Sequence, residues 1–400
     1  MKDKNVVIIG AGISGLSFAF KAIQSGYRPY ILENTDRVGG CFDSHRFEDF
    51  AVELGAHTCY NSYCGLISII EKYNLAQSIL KREKVSFKVY HDNKIEKITK
   101  HLSFLEIFLS LPKIFHAKKN ELSVQEYYQA ILGKTNYKKI LGPSFNAVLS
   151  QDAGPFPADS LFKKRERRKD IFRSYTLATG LQTIPEKVAE DQHLILKKNC
   201  TIKTITRDGA TYNLTLSNGE QLHADSLVLA TPVSSAAVLV KNLNPALHRT
   251  LSQIETASVE STCVVVKKEK IEHAPFAGLI PTNDNFFSVV SRDVLPHPKY
   301  RGFTFHFKPG ALKGKEKTAK ILQVLKISES DILNSAERER VLPKLGSGHK
   351  EFLTQIEHSL VGTNLYLCGN YFQGLAIEDC INRSFSEFDR MTKNGGNHVI

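Results

Sequence analysis

Four apolar residues running straight into a glycine turn constrain this chain more than anything else in it. Val6-Val7-Ile8-Ile9 leads into Gly10-Ala11-Gly12-Ile13-Ser14-Gly15. An unbroken apolar run suits a strand buried on both faces of a parallel sheet. The Gly-x-Gly-x-x-Gly turn lets the backbone approach a pyrophosphate at the amino end of the next helix, where free N–H groups and the helix dipole attract anions. Tyr30-Ile31-Leu32 reads as a second strand, closed by Glu33. A carboxylate there accepts hydrogen bonds from a ribose hydroxyl and repels a 2′-phosphate. A glycine triplet alone is often a mere turn; strand, triplet, helix and acid together predict a bound dinucleotide.

The segments that follow narrow the kind of dinucleotide. Glu33 and Asn34 are succeeded by Arg37-Val38-Gly39-Gly40 and then by Glu53-Leu54-Gly55-Ala56-His57. Arginine can fork two hydrogen bonds to phosphate oxygens, and glycines keep the chain clear of a large planar ligand. This pattern resembles the FAD-dependent amine oxidase superfamily, and within it the protoporphyrinogen oxidases. The resemblance implies that Arg37, Gly39 and Gly40 run beside the pyrophosphate and that Gly55, Ala56 and His57 lie close to the flavin. Cys41 stands where the family often carries a basic or small polar residue.

The carboxyl end resembles the closing flavin motif of the same family. Asn364-Leu365-Tyr366-Leu367-Cys368 reads as a strand, Gly369-Asn370-Tyr371-Phe372-Gln373-Gly374 as a bend, and Leu375-Ala376-Ile377 as a helix start. Backbone N–H groups at such a start face the pyrimidine end of the isoalloxazine and stabilise the negative charge of the reduced ring. Between the two ends, Ser123-Val124-Gln125-Glu126 has the form of a capping box opening a helix that ends near Gly133. Turn signals at Asp208-Gly209 and Asn218-Gly219 separate short strands. The resemblance further implies that Ile202 offers its backbone to the adenine and that Ala230-Thr231-Pro232 passes under the pyrophosphate.

The expected fold class is α/β: a Rossmann-like FAD/NAD(P)-binding domain with a discontinuous α+β substrate-binding domain. The first is assigned to residues 1–80, 180–250 and 340–400, the second to 81–179 and 251–339. A chain of 400 residues is too long for one ordinary core and suits two intertwined domains. Hydrophobic residues make up 42%, yet no run reaches membrane-span length. Met1 to Asn5 enters the first strand directly, so no signal peptide is expected. Seven cysteines without metal-like pairing fit reduced thiols in a cytoplasmic protein with no metal site. None lies in the family's covalent attachment context, which implies dissociable FAD, and Cys368 and Cys380 read as small buried hydrophobes.

The net charge of +12 is partly concentrated in Lys163-Lys164-Arg165-Glu166-Arg167-Arg168-Lys169. Three readings compete for this run: a solvated face, contact with an anionic membrane surface or partner, and steering of an acidic substrate. Nucleic acid is disfavoured, because no RNA or DNA module accompanies the charge. The apolar stretch from His101 to His116 reads first as a buried helix, ahead of a substrate wall or a patch dipping into lipid.

The resemblance implies an oxidoreductase that removes hydride equivalents from a cyclic or heteroaromatic small molecule, with molecular oxygen or a quinone reoxidising the flavin. Oxidation of an amine or a specialised metabolite, and a non-redox flavoprotein such as a sugar mutase, are the alternatives. His57, Asn370 and Tyr371 are the candidates for contact with the reacting atoms. Trp is absent, so any aromatic cage must come from Tyr and Phe. The sequence leaves the substrate, electron acceptor and oligomeric state open.

Overall fold

The computed structural model describes residues 4–346 and 348–396. Its centre is a five-stranded parallel sheet in the order Ile195–Lys197, Tyr30–Leu32, Val6–Ile9, Ser226–Leu229, Leu365–Leu367. Side chains alternate across a strand, and the two faces bury separate cores. Ile8, Val228 and Tyr366 pack against the helix Ile13–Gln24 and the C-terminal helix Ile377–Gly396, whose Phe388 meets Phe18 edge-on. Val7, Leu227 and Leu367 face the other way, onto the helices Val233–Val240, Pro245–Ser252 and His349–Leu360. The two central strands are buried at every position, as covering both faces requires. Ile202–Asp208, Thr211–Leu216 and Gln221–Ala224 form a small antiparallel sheet joined by the two predicted glycine turns.

The second sheet has seven strands, in the order Ile332–Pro343, Thr256–Lys267, Tyr300–Phe307, Phe286–Ser291, Gly278–Pro281, Phe87–His91, Lys94–Lys97. Tyr300–Phe307 is its pivot and is buried throughout. Phe303, Phe305 and Phe307 fill a core on one side. Gly302 and Thr304 turn to the hairpin Ser44–Phe47/Phe50–Glu53 instead. A Cβ on Gly302 would lie 2.4 Å from Val52 Cγ2, and Thr304 Oγ1 donates to the Glu53 carbonyl at 2.7 Å. That face of the sheet therefore lies directly against the segment leading to His57. Ser174–Leu177 pairs with Cys59–Tyr60 and Ile79–Lys81, which sets it beside the segment that follows His57.

The capping box is present. Ser123 Oγ accepts from the Glu126 N–H, Glu126 reaches back to the Ser123 N–H, and the helix Val124–Leu132 stops at Gly133. The 101–116 stretch departs from its core expectation. It forms the helix Phe104–Ser110 and a following turn of 3-10 helix, but Phe108 is 70% and Phe115 89% exposed. Polar anchors on the inner side decide this. Glu106 accepts the N–H groups of Thr135 and Asn136, and Asn136 bonds both the N–H and the carbonyl of Ser103. The apolar side chains are thereby held outward.

Candidate active site

The glycine turn is shaped by close backbone contacts. A Cβ on Gly15 would fall 2.0 Å from the Gly10 carbonyl oxygen, and one on Gly10 2.6 Å from that of Ala230. Gly10 also has φ of +103°, where only glycine is at ease. Gly12 differs, since the nearest atom to its missing Cβ is the Gly40 Cα at 3.9 Å. That glycine keeps space open for something other than protein. No side chain caps the helix at Gly12, so the first N–H groups, around Ile13 and Ser14, remain for an anion. Glu33 accepts the Ala11 and Thr35 N–H groups at 2.8 and 3.0 Å. The Asn199 and Cys200 N–H groups bond the Thr35 and Glu33 carbonyls, which sets the 199–202 segment beside Glu33. Thr231 Oγ1 is buried with no protein partner. An uncapped helix end, an open Cβ direction, a carboxylate at the next strand end and an orphaned hydroxyl all fit a dinucleotide such as FAD.

Arg37 behaves differently from its expected phosphate fork. Its guanidinium donates to the carbonyls of Gly40 (3.0 Å) and Phe42 (2.5 Å), with Asp43 at 3.8 Å. Gly39 and Gly40 both have positive φ, which turns those carbonyls toward the arginine. Arg37 therefore braces the glycine pair rather than offering a free fork. The brace carries into the next motif, where the Ala56 N–H donates to the Cys41 carbonyl at 2.8 Å. A Cβ on Gly55 would lie 2.2 Å from that same oxygen. The two predicted flavin segments thus touch, and glycine at 55 is what permits it.

His57 is half-buried, and its Nδ1–H donates to the Gly55 carbonyl at 3.2 Å, leaving Nε2 as an acceptor. Burial, with Arg82 nearby, pushes its pKa down to about 4, so the imidazole is neutral at pH 7. His57 lines a small cavity with Val52, Glu53, Arg82, Val290, Arg292 and Thr304. Glu53 is fully enclosed and accepts from Ser44 Oγ (2.6 Å) and the Leu181 N–H (2.8 Å), with Arg292 at 3.9 Å. Burial raises its pKa, and Arg292 opposes this. Arg292 also donates to Thr176 Oγ1 and the Leu177 carbonyl. Arg82 donates to Thr58 Oγ1 at 2.5 Å, its Nε is buried without a partner, and no carboxylate pairs with it among the described residues. His306, buried behind His57 and bonded to Ser261, is held neutral at a pKa of about 3 by burial.

Sequence reasoning missed Arg82, Arg292 and His306. A histidine inside the apolar run Phe303-Thr304-Phe305-His306-Phe307 was a usable signal; the two arginines carried none.

At the carboxyl end the structure divides the candidates. Gly369 and Asn370 are half-buried at the strand end, and Leu375, Ala376 and Ile377 precede or open the C-terminal helix. Gly374 is required by Asp379, whose Oδ2 would sit 2.5 Å from an added Cβ. Tyr371 is not at the site surface: it is fully buried in the core under the parallel sheet with Phe372. Its ring folds back onto Gly369, where a Cβ would lie 2.5 Å away. This excludes Tyr371 from contact with a substrate, and Phe372 packs under Arg383 rather than lining a cage. Asp379 instead holds Lys163 (3.2 Å) and Arg165 (2.7 Å), and Arg168 pairs with Glu71 and Asp170. Much of the basic run is therefore a strap tied to the C-terminal helix and its surroundings.

A parallel sheet with an uncapped glycine turn, and a seven-stranded sheet that meets the His57 segment at a small cavity, fit a flavoprotein. The family model described as flavin containing amine oxidoreductase matches residues 13–288. The chain belongs to that family, whose members depend on FAD. Coproporphyrinogen III oxidase of Bacillus subtilis is 21% identical over 95% of this chain and 96% of its own length. Among solved structures, one assigned provisionally as the protoporphyrinogen oxidase of Exiguobacterium sp. 255-15 superposes with a TM-score of 0.81 at 16% identity, covering 98% of this chain and 99% of that one. A fatty acid isomerase from P. acnes that produces CLA gives 0.74 at 17% identity over the same shares. No helix among the described residues is long and apolar enough to cross a membrane.

Proposed function

We propose that this chain dehydrogenates a cyclic, carboxylate-bearing heteroaromatic precursor of the porphyrinogen type, with oxygen or a quinone taking the electrons onward. The observation that carries the reading is Arg82, a guanidinium without a carboxylate partner among the described residues, beside His57 in the cavity between the seven-stranded sheet and the His57 segment. Burial lowers its pKa, opposed by Tyr60 and Cys59 but by no carboxylate, so an incoming carboxylate gains a charge-assisted hydrogen bond there. Bound FAD supplies the two-electron acceptor. The protein's own residues orient and enclose the substrate. Arg82 anchors a carboxylate, neutral His57 accepts an N–H hydrogen bond at Nε2, and Val52, Val290 and Val294 exclude water. The relationship to coproporphyrinogen III oxidase over nearly the whole chain supports the same substrate class. A cavity edged by Arg82 and Arg292 repels protonated amines, which weighs against an amine substrate.

The test is anaerobic bleaching of the bound flavin with a panel of porphyrinogens, amines and reduced heterocycles. Porphyrinogens are expected to bleach it and to yield porphyrin fluorescence. Bleaching by amines alone overturns the proposal. Turnover only with pre-reduced flavin and no net electron transfer would instead mark a mutase.

A further inference from the structure

The cavity that holds Arg82 has a mouth, built on the small sheet of Cys59–Tyr60, Ser174–Leu177 and Ile79–Lys81. Tyr60 pairs with Ser174. On the other side of that strand, the register that pairs Lys81 with Tyr175 sets Arg82 opposite Ser174, and the Arg82 N–H donates to the Ser174 carbonyl at 3.4 Å. Residues opposite one another in antiparallel strands share a face. Side chains alternate along a strand, so Thr176 lies on that face too. Thr176 Oγ1 in turn accepts from Arg292 at 2.9 Å. One face thus runs from Tyr60, which is 40% exposed, past Arg82 to the buried Arg292.

The basic strap 161–173 is pinned across the chain just beyond Tyr60. The Asn61 side chain donates to the Arg168 carbonyl at 2.6 Å and accepts from Arg167 at 3.3 Å. Its backbone N–H donates to the Arg173 carbonyl at 3.2 Å. Lys163 and Arg165 turn inward onto Asp379, and Arg168 pairs with Glu71 and Asp170. Lys164, Arg167, Lys169 and Arg173 stay exposed. Because Arg168 takes up Asp170, only Glu166 opposes them within the strap. At the adjoining strand end Lys81 and Lys84 outnumber Glu83, and all three are exposed. A merely solvated face would need no such pins. Like charges fixed around a mouth with low-dielectric walls focus field lines and raise the local concentration of an oppositely charged ligand.

We propose that the strap steers a polycarboxylate substrate to this mouth and passes it inward to Arg82, so that entry favours substrates with more carboxylates. This steering rests on the porphyrinogen-type substrate and adds its route and its charge selectivity. The test is anaerobic stopped-flow reduction of the FAD-loaded full chain by porphyrinogens carrying four and two carboxylates. Salt is varied from about 0.01 to about 1 M, over which the screening length falls from about 30 to about 3 Å. The second-order rate constant should fall about tenfold or more across that range, more steeply for the tetracarboxylate. Lys169→Glu with Arg173→Glu should lower it about tenfold at low salt and match the wild type at high salt. That double variant should keep the flavin spectrum and thermal midpoint, since both side chains are exposed. Ile171 of the strap packs on one face of the parallel sheet, whereas Lys241 follows the helix Val233–Val240 on the other. Lys241→Glu should therefore leave the rate unchanged. Bleaching indifferent to salt, equal slopes for the two porphyrinogens, a loss that persists at high salt, or one matched by Lys241→Glu overturns the steering alone. No bleaching by either porphyrinogen at any salt overturns the substrate reading and the steering with it.

Discussion

Glu378 Oε1 accepts the N–H of Gly65 at 2.7 Å across 313 positions of sequence. Its other oxygen takes the Leu66 N–H at 3.2 Å. The first turn of the C-terminal helix thereby caps the helix Cys64–Lys72, which directly follows the His57 segment. The C-terminal helix is thereby locked to the helix that follows His57. Burial pushes the Glu378 pKa up to about 7, although the two N–H groups oppose it.

A carboxylate whose pKa is raised on folding gives stability that is full below its unfolded value and lost as pH rises through the folded one. For Glu378 the window runs from about pH 4.5 to about 7. Glu378→Gln keeps an acceptor for Gly65 but cannot ionise. Its thermal midpoint should fall less between pH 5 and pH 8 than that of the wild type, by up to the one-proton slope of about 1.4 kcal/mol per pH unit. Parallel curves for the two proteins would refute the assignment.

The glycines of the first turn should separate by role. The Cβ added by Gly12→Ala meets no protein atom closer than the Gly40 Cα at 3.9 Å, so the variant should fold yet lose FAD affinity, seen as a paler protein with cooperative melting. Gly15→Ala drives a methyl into the Gly10 carbonyl and should destabilise the fold by about 1–3 kcal/mol. Full flavin occupancy in the Gly12 variant would remove the turn from the cofactor site.

His57, with a pKa near 4, should contribute no inflection to flavin reduction between about pH 6 and 8. A histidine whose pKa is depressed on folding gives stability that is full above its unfolded value and is lost as pH falls toward the folded one. His57 and His306 should thus weaken the fold below about pH 6.5, down to about 4 and 3. His306→Asn should show a shallower acid melting curve. An imidazole titrating near neutrality by NMR would contradict this.

Arg82→Met should raise KM for a carboxylate-bearing substrate about 10- to 100-fold, the worth of one hydrogen bond to a charged group. The flavin spectrum should stay unchanged. Comparable losses with an uncharged analogue would mean that the arginine supports structure instead.

What proved legible in the chain is local. The Gly10–Gly15 turn, the Ser123/Glu126 capping box and the hairpins at Asp208-Gly209 and Asn218-Gly219 each rest on neighbouring residues, and each is present in the structure. The Tyr371 reading failed because burial depends on what a ring meets. Gly369 lets this one fold back into the core. The core expectation for 101–116 failed because apolar composition says nothing of which side is anchored. That was decided by Glu106 and Asn136, held in place from the neighbouring helix.

The sequence by itself carried the signature of a dinucleotide-binding glycine turn and of flavin motifs at both ends, since backbone conformation at glycines and the charge of Glu33 are carried by single residues. Only the tertiary structure decided which side chains gather around His57. Arg82, Arg292, Glu53 and His306 come from separate strands and loops, and their protonation follows from shared burial and mutual fields, which exist only once the seven-stranded sheet has closed on the hairpin and the His57 segment.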